Sequence, residues 1–133
     1  MSDLFLYVED DETSRRVLAF IMTRIMGIAN FVSFEDSDNF LERLRGLPQI
    51  PRVIFLDIRV RPYNGYEMLK LIRQEPRYQP VPVVAITATV MSSDVEQLRE
   101  AGFDGLIGKP IRQQMFPELL NKILHGEPVW IVT

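Results

Sequence analysis

Five residues with charged or hydroxyl side chains come directly after apolar segments of the chain. Glu9 and Asp10 follow the run LFLYV, Asp57 follows VIFL, Thr87 follows VPVVAI, and Lys109 follows a short fifth segment. Three carboxylates brought together repel one another, and a magnesium ion with carboxylate and water ligands would offset that repulsion. A metal ion, a lysine and a hydroxyl around one carboxylate neutralise the charge of an incoming phosphoryl group. This chemistry predicts that Asp57 is a nucleophile toward phosphorus.

Each of these residues also has an ordinary structural interpretation. An acidic run after a strand is most often a helix N-terminus, where carboxylates favour the helix dipole. Asp57 alone could be a turn residue, Thr87 could bond a loop carbonyl, and Lys109 could be a solvated surface lysine. The chemical interpretation rests on their combination: the acidic pair, Asp57, Thr87 and Lys109 all follow apolar segments, in an order that allows them to share one pocket.

Apolar runs and amphipathic segments alternate along the chain, which predicts five strand–helix units. Asn64 with Glu67 resembles a capping box, and Ser92 or Ser93, with Glu96 three residues after Ser93, can cap a later helix. The predicted strands are residues 4–8, 31–34, 53–56, 81–86 and 106–107. The predicted helices are residues 11–27, 38–46, 64–75, 92–102 and 111–125.

Two of the strand-like runs, VIFL and VVAI, are apolar at every position. Such runs are buried on both faces, which is typical of a parallel sheet covered by helices on each side. The carboxyl ends of parallel strands share one edge, where ligands bind. We therefore expect Glu9, Asp10 and Asp57 to converge in one pocket, with Thr87 and Lys109 at its rim.

Composition excludes several classes of protein. The 133 residues suit one domain, and a net charge of −3 does not suggest a nucleic-acid surface. The absence of cysteine and the single histidine, His125, exclude disulfides, thiolate metal sites and histidine metal clusters. The N-terminus lacks the pattern of a signal peptide, and no apolar run approaches the roughly 20 residues of a membrane helix. We expect a cytoplasmic protein without nucleic-acid or membrane partners.

These motifs together give the chain a specific resemblance to a known family. It resembles the response-regulator receiver domains of two-component signalling, and most of all the single-domain chemotaxis type. The resemblance covers about residues 3–125 and implies a doubly wound, flavodoxin-like fold with a five-stranded parallel sheet of order 2-1-3-4-5. It is carried by Val8-Glu9-Asp10-Asp11, by Leu56-Asp57 with Gly65, by Thr87-Ala88, and by Ala101-Gly102-Phe103-Asp104 leading to Lys109-Pro110.

The resemblance implies a role for each matching residue. Asp57 would be the phosphoacceptor and would receive its phosphoryl group from a histidine kinase or a phosphotransfer protein. Asp10 would bind Mg²⁺ directly, Glu9 through water, and the backbone carbonyl of Arg59 would complete the protein ligands. Lys109 would contact the phosphoryl oxygens. The Lys109-Pro110 peptide is expected to be cis, as in relatives.

Activation is also implied by the resemblance. Thr87 would move to bond the phosphoryl group, and the loop of residues 88–93 would move with it. The helices at 92–101 and 111–125 would form the contact surface for a target protein or for a second copy in a homodimer. The catalysis expected is the chain's own phosphorylation and dephosphorylation, without turnover on external substrates.

The chain departs from the family pattern at three places. Proline usually stands four residues after the acceptor, whereas Pro62 stands five after it. Arg59 and Arg61 add positive charge to the loop beside the acidic pocket. Leu106 occupies a position where many relatives carry a switch tyrosine or phenylalanine, so we expect the readout in backbone rearrangement of the helix that follows Thr87.

Three other functions are weighed against the phosphoacceptor. An aspartate-nucleophile phosphatase usually has a second acid two residues after the nucleophile, where this chain has Arg59. A flavin-binding module would need a Ser/Thr/Gly-rich phosphate loop after the first strand, where EDDE would repel phosphate. A phosphate sink or a scaffold that works without phosphorylation remains the alternative.

The last residues allow two interpretations. We expect a receiver domain over residues 1–126, followed by a tail or linker stub at 127–133. Gly126 and Pro128 end the last helix, and the apolar segment VWIVT then suggests a tail packed on its own domain or on a second chain. A stub leading to a missing output domain is the alternative.

Overall fold

The computed structural model describes residues 2–88 and 91–131, which form one parallel sheet with helices on both faces. The six strands lie in the order β2-β1-β3-β4-β5-β6. The strands are β1 Phe5–Val8, β2 Phe31–Phe34, β3 Val53–Leu56, β4 Val83–Thr87, β5 Gly105–Gly108 and β6 Val129–Ile131. The helices are α1 Glu12–Phe20, α2 Phe40–Arg45, α3 Gly65–Arg73, α4 Ser92–Ala101 and α5 Phe116–Leu124.

The apolar runs form the centre of the sheet, as their composition predicts. All residues of β1, β3 and β4 are buried. One apolar cluster joins the sheet to α2, α3 and α4, and a second joins it to α1 and α5. The doubly wound parallel architecture is therefore confirmed, and each face of the sheet has its own core.

The predicted strand count is wrong, because the described residues form a sheet of six strands and not five. Residues of the predicted tail form β6, which pairs in parallel with β5 and places Trp130 opposite Leu106. Gly105 permits this approach, since a Cβ at that position would lie 2.7 Å from the carbonyl oxygen of Val129. The end of the predicted tail, residues 132–133, lies outside the described residues.

Local hydrogen bonds define the ends of α3 and α4. The capping box of α3 is confirmed: Asn64 N donates to Glu67 Oε1, and Glu67 N donates to Asn64 Oδ1, both at 2.9 Å. The predicted serine cap of α4 is wrong. Met91 precedes its first residue, and the Asp94 side chain accepts from Met91 N at 2.8 Å, so the acid of the first turn is Asp94 and not Glu96.

Two predicted helices, residues 11–27 and 111–125, differ most from the helices of the structure. After α1 the chain widens into a π-helical segment, Ile21–Ile25, in which Met26 N donates to Ile21 O, five residues back, at 2.9 Å. Helix α5 begins at Phe116, five residues later than predicted, directly before Pro117. Proline has no N–H and fits only the first turn of a helix, which explains this late start. No helix in the described ranges is both long and apolar enough to cross a bilayer.

Candidate functional site

The sheet order brings the acidic residues of two chain segments together. Strands β1 and β3 are neighbours, and Val8 lies opposite Leu56. Glu9 and Asp57, which follow these two residues, therefore leave the sheet side by side, and Asp57 N donates to Val8 O at 3.0 Å. One carboxylate oxygen from each of Glu9, Asp10 and Asp57 lies within 4.8 Å of the others.

Lys109 extends from the end of β5 into the same pocket. Its Nζ donates to Asp57 Oδ2 at 2.6 Å and forms an ion pair with Glu9 Oε1. Its side chain is only 16% exposed, so Lys109 is not a solvated surface lysine. The expected cis peptide between Lys109 and Pro110 is confirmed.

Glu9 is fully buried at the floor of the pocket and has three donors. Tyr7 Oη donates to Oε1 at 2.8 Å, Asp11 N donates to Oε2 at 3.2 Å, and Lys109 is the third. Burial raises the pKa of Glu9 to about 7, with a further increase from Asp57 and an opposing decrease from Lys109 and Tyr7. Burial raises the pKa of the Tyr7 hydroxyl as well, so it remains a proton donor.

Lys109 responds to the same surroundings in the opposite sense. Burial by itself would lower the pKa of Lys109, but the hydrogen bonds and charges of Asp57 and Glu9 outweigh it and raise that pKa. The pocket thus holds a persistently cationic ammonium between two carboxylates. Such a group can donate to an oxyanion that approaches Asp57.

Asp57 is held by the loop that follows β3. It is 5% exposed, and its Oδ1 accepts from Arg59 N at 2.8 Å. The loop is closed by Gly65, whose N donates to Ile58 O at 3.0 Å. A Cβ on Gly65 would lie 2.7 Å from Ile58 Cδ1 and 2.9 Å from Ile58 Cα, so only glycine fits there without a shift of the loop.

The acidic run after β1 divides between two roles. Asp11 is the N-cap of α1, and its Oδ2 accepts from Ser14 N at 2.9 Å and from Ser14 Oγ at 2.7 Å. The bonds from Ser14 hold the pKa of Asp11 below its ordinary value. The helix N-terminus interpretation is therefore correct for Asp11, whereas Glu9 and the exposed Asp10 belong to the pocket.

Thr87 is the last residue of β4 and not the first residue beyond it. It is buried, and its Oγ1 donates to the carbonyl of Ala88 at 3.3 Å. This is the bond to a loop carbonyl that its ordinary structural interpretation predicts. Thr87 also lines a cleft of about 200 Å³ together with Arg59 and Leu98. Leu106 is fully buried in the apolar core, so it is a packing residue in this state of the protein.

The rest of the β3–α3 loop is anchored by a residue that the sequence did not single out. Ser37 Oγ donates to Tyr63 O and accepts from Tyr63 N, both at 2.7 Å, and Ser37 N donates to Arg61 O at 3.1 Å. The Arg61–Pro62 peptide is cis. Arg59 and Arg61 are exposed, and neither forms an ion pair with any residue that the structure describes.

The donors of the pocket fit a hard divalent cation. Carboxylate oxygens are the ligands that Mg²⁺ prefers, and Glu9, Asp10 and Asp57 supply three of them within one ion's reach. The role of the Arg59 carbonyl remains a prediction. Tyr7 is the second residue that the sequence did not single out, and the signal that could have found it was its place in a predicted strand, two residues before Glu9.

Comparison with known sequences gives a family match over most of the chain. Residues 5–121 match the family model described as the response regulator receiver domain. The stress response regulator protein 1 of Meyerozyma guilliermondii is 32% identical over 106 residues, which are 80% of this chain and 48% of that protein. The polar-differentiation response regulator DivK of Brucella ovis is 32% identical over 74 residues, 56% of this chain and 60% of that protein. The chain spans about half the length of the curated relatives it matches.

Solved structures with the same fold cover nearly the whole chain. The two-component response regulator from Legionella pneumophila aligns with a TM-score of 0.76 and 26% identity, over 94% of this chain and 98% of that one. The chemotaxis response regulator CheY4 of Vibrio cholerae aligns with a TM-score of 0.81 and 17% identity, over 92% and 99% of the two chains. At 17% identity the similarity to CheY4 shows a shared fold and nothing more.

Proposed function

The chain belongs to the response regulator receiver domain family, and from this premise we propose that Asp57 accepts a phosphoryl group from a histidine kinase or a phosphotransfer protein. The observation that carries the proposal is the placement of Asp57 between Lys109 and the acidic pair of Glu9 and Asp10. The protein would be cytoplasmic, where such donors work.

The transfer itself needs little more than position and charge. A carboxylate oxygen of Asp57 forms a bond to phosphorus while the bond between phosphorus and the donor breaks, which gives an acyl phosphate and the released donor group. Lys109 Nζ lies 2.6 Å from Asp57 Oδ2 and is placed to donate to the phosphoryl oxygens. Thr87, now bonded to a loop carbonyl, supplies a hydroxyl that can turn toward them.

The residues proposed to hold Mg²⁺ are Glu9, Asp10 and Asp57, with the carbonyl of Arg59 as a further ligand. When bound, the ion neutralises negative charge on the phosphoryl group. Lys109 supplies one positive charge against the three carboxylates. A divalent cation would offset the negative charge that remains.

Arg59 supports a signalling role over the turnover of external phosphate esters. An aspartate phosphatase usually places its acid–base carboxylate two residues after the nucleophile, and Arg59 is exposed at that place. We propose that the chemistry is limited to the phosphorylation and dephosphorylation of Asp57. The output is then contact with a target protein, or a homodimer, through α4 and α5 with β6 between them.

The test is intact-mass analysis after incubation with acetyl phosphate and Mg²⁺. The wild-type protein should gain one phosphoryl group that is stable in acid and labile in base. Asp57→Asn should abolish the gain, and Asp38→Asn, a change of an exposed aspartate, should not. An undiminished gain in Asp57→Asn would refute the assignment. No gain in the wild-type protein would support a scaffold that works without phosphorylation.

A further inference from the structure

Tyr7 places a polar atom inside an otherwise apolar part of the core. The residue is fully buried, and its cluster includes Leu18, Phe55 and Phe116. A phenyl ring would fill the same space, and a buried hydroxyl is costly unless it is hydrogen-bonded. The partner of the Tyr7 hydroxyl is Glu9 Oε1, at 2.8 Å. The hydroxyl is therefore accommodated by the acidic pocket and not by the core.

This hydrogen bond constrains one particular carboxylate. A carboxylate offers about four acceptor positions. On Glu9, Oε1 accepts from Tyr7 and contacts Lys109, and Oε2 accepts from Asp11 N. Tyr7 and Asp11 hold the two oxygens from opposite ends, so the carboxylate has a fixed orientation and retains acceptor capacity for one further ligand.

The donor of the bond is enclosed on both sides by neighbouring strands. Tyr7 lies within β1 between neighbouring strands, opposite Ser33 on one side and Phe55 on the other. Glu9 directly follows β1, and its N donates to Phe34 O at 3.0 Å, so the extended backbone continues past Val8 and places the Glu9 side chain on the side of the Tyr7 hydroxyl. The buried strand and the residue after it thus carry both the group that orients the carboxylate and the carboxylate itself.

We propose that Tyr7 is a positioning residue for the metal ligand Glu9: its hydroxyl fixes the carboxylate so that a divalent cation finds it preorganised beside Asp10 and Asp57. The proposal rests on the proposed magnesium site. Groups that orient metal ligands through a hydrogen bond typically change metal affinity by 10- to 100-fold when removed. Because the hydroxyl touches neither the cation nor phosphorus, its effect should fall on metal affinity.

The test is a calorimetric Mg²⁺ titration of Tyr7→Phe, which removes one oxygen atom and keeps the ring. The Kd for Mg²⁺ should rise about tenfold. In phosphorylation by acetyl phosphate, the loss should fall on the half-saturating Mg²⁺ concentration more than on the limiting rate. Tyr78→Phe, at the other fully buried tyrosine, is the matched control and should leave the Kd unchanged.

A second background tests whether Tyr7 acts through Glu9. Glu9→Gln should weaken Mg²⁺ binding at least as much as Tyr7→Phe does, and Tyr7→Phe should add less than about twofold in that background. An unchanged Kd in Tyr7→Phe or in Glu9→Gln, or an equal loss in both backgrounds, would overturn the positioning role. If the wild-type protein itself binds no Mg²⁺, the proposed metal site fails, and Tyr7 has no metal to position.

Discussion

Arg99 of α4 lies over the indole ring of Trp130 in β6, with its guanidinium carbon 4.5 Å from the ring centroid. The contact joins the helix that follows Thr87 to the strand at the edge of the sheet. Trp130 is also the register neighbour of Leu106. The family usually has an aromatic residue at the Leu106 position, and in this chain the aromatic ring of Trp130 lies beside Leu106 on the next strand.

Arg99→Ala should loosen this contact between α4 and β6. Arg99 is exposed, so we expect the free energy of unfolding to fall by about 0.5–1 kcal/mol. Trp130, the only tryptophan of the chain, should report the change in its emission spectrum. Arg16→Ala, which removes an exposed pair with Glu12, is the control and should cost less than about 0.5 kcal/mol. Equal losses in the two variants would contradict the role of the Arg99 contact.

A phosphoryl mimic at Asp57 should reach Trp130 if α4 transmits the signal. We expect beryllofluoride to shift the amide resonances of residues 91–107 and the indole resonance of Trp130. Thr87→Ala should suppress these shifts and leave those around Asp57 in place. The predicted loop movement at 88–93 includes residues 89 and 90, which lie outside the described residues. Shifts confined to the neighbourhood of Asp57 in the wild-type protein would mean that the switch is broken.

Gly65→Ala should distort the loop that carries Asp57. The new methyl group would meet Ile58 at 2.7–2.9 Å, which forces a backbone or side-chain shift that typically costs 1–3 kcal/mol. We expect lower stability in urea denaturation and slower phosphorylation by acetyl phosphate. Gly46→Ala is the control, because the nearest atom to its Cβ would be 3.4 Å away. A Gly65→Ala protein with wild-type stability and rate would show that the loop tolerates the methyl group.

The buried carboxyl of Glu9 should make the metal-free protein less stable as pH rises. Its pKa is about 7 in the folded state, because of burial, against an ordinary value of 4.5. Below pH 4.5 the carboxyl is protonated in both states, and its contribution is fully present. Between pH 4.5 and 7 the unfolded state releases the proton first, so this contribution to the free energy of unfolding is lost.

Glu9→Gln provides the comparison, since an amide does not titrate. Denaturation in the absence of Mg²⁺ should show a smaller loss of stability between pH 4.5 and 7 in Glu9→Gln than in the wild-type protein. The same loss in both proteins would mean that Glu9 titrates normally.

The parts of the fold that the sequence predicted well are those decided by local composition. β3 has the predicted bounds because VIFL is apolar at every position and lies between polar segments. The α3 capping box could be predicted because its two residues are three apart in the chain. The meeting of Glu9 with Asp57 followed from the rule that parallel strands end at one edge of the sheet.

Two of the features that the sequence did not predict depend on partners distant in the chain, and a third is a polar atom within an apolar run. Ser37 acts through Tyr63, 26 residues away, and nothing in the neighbourhood of Ser37 signals that contact. The sixth strand depends on Gly105, which gives the Val129 carbonyl room to approach. Tyr7 was counted among the apolar residues of its strand, although its hydroxyl belongs to the pocket.

The sheet order also has a consequence for how the chain assembles. From β3 to β6 each strand lies beside the strand that precedes it in the chain, so this part of the sheet can form in chain order. β6 is the last of these strands, and in the part of the chain that the structure describes it pairs with β5 alone. It can therefore separate from β5 without disturbing any other strand pairing, as a local opening that exposes the buried Val129. Such an opening would remove Trp130 from Arg99 and turn β5, with Leu106, into the boundary of the sheet.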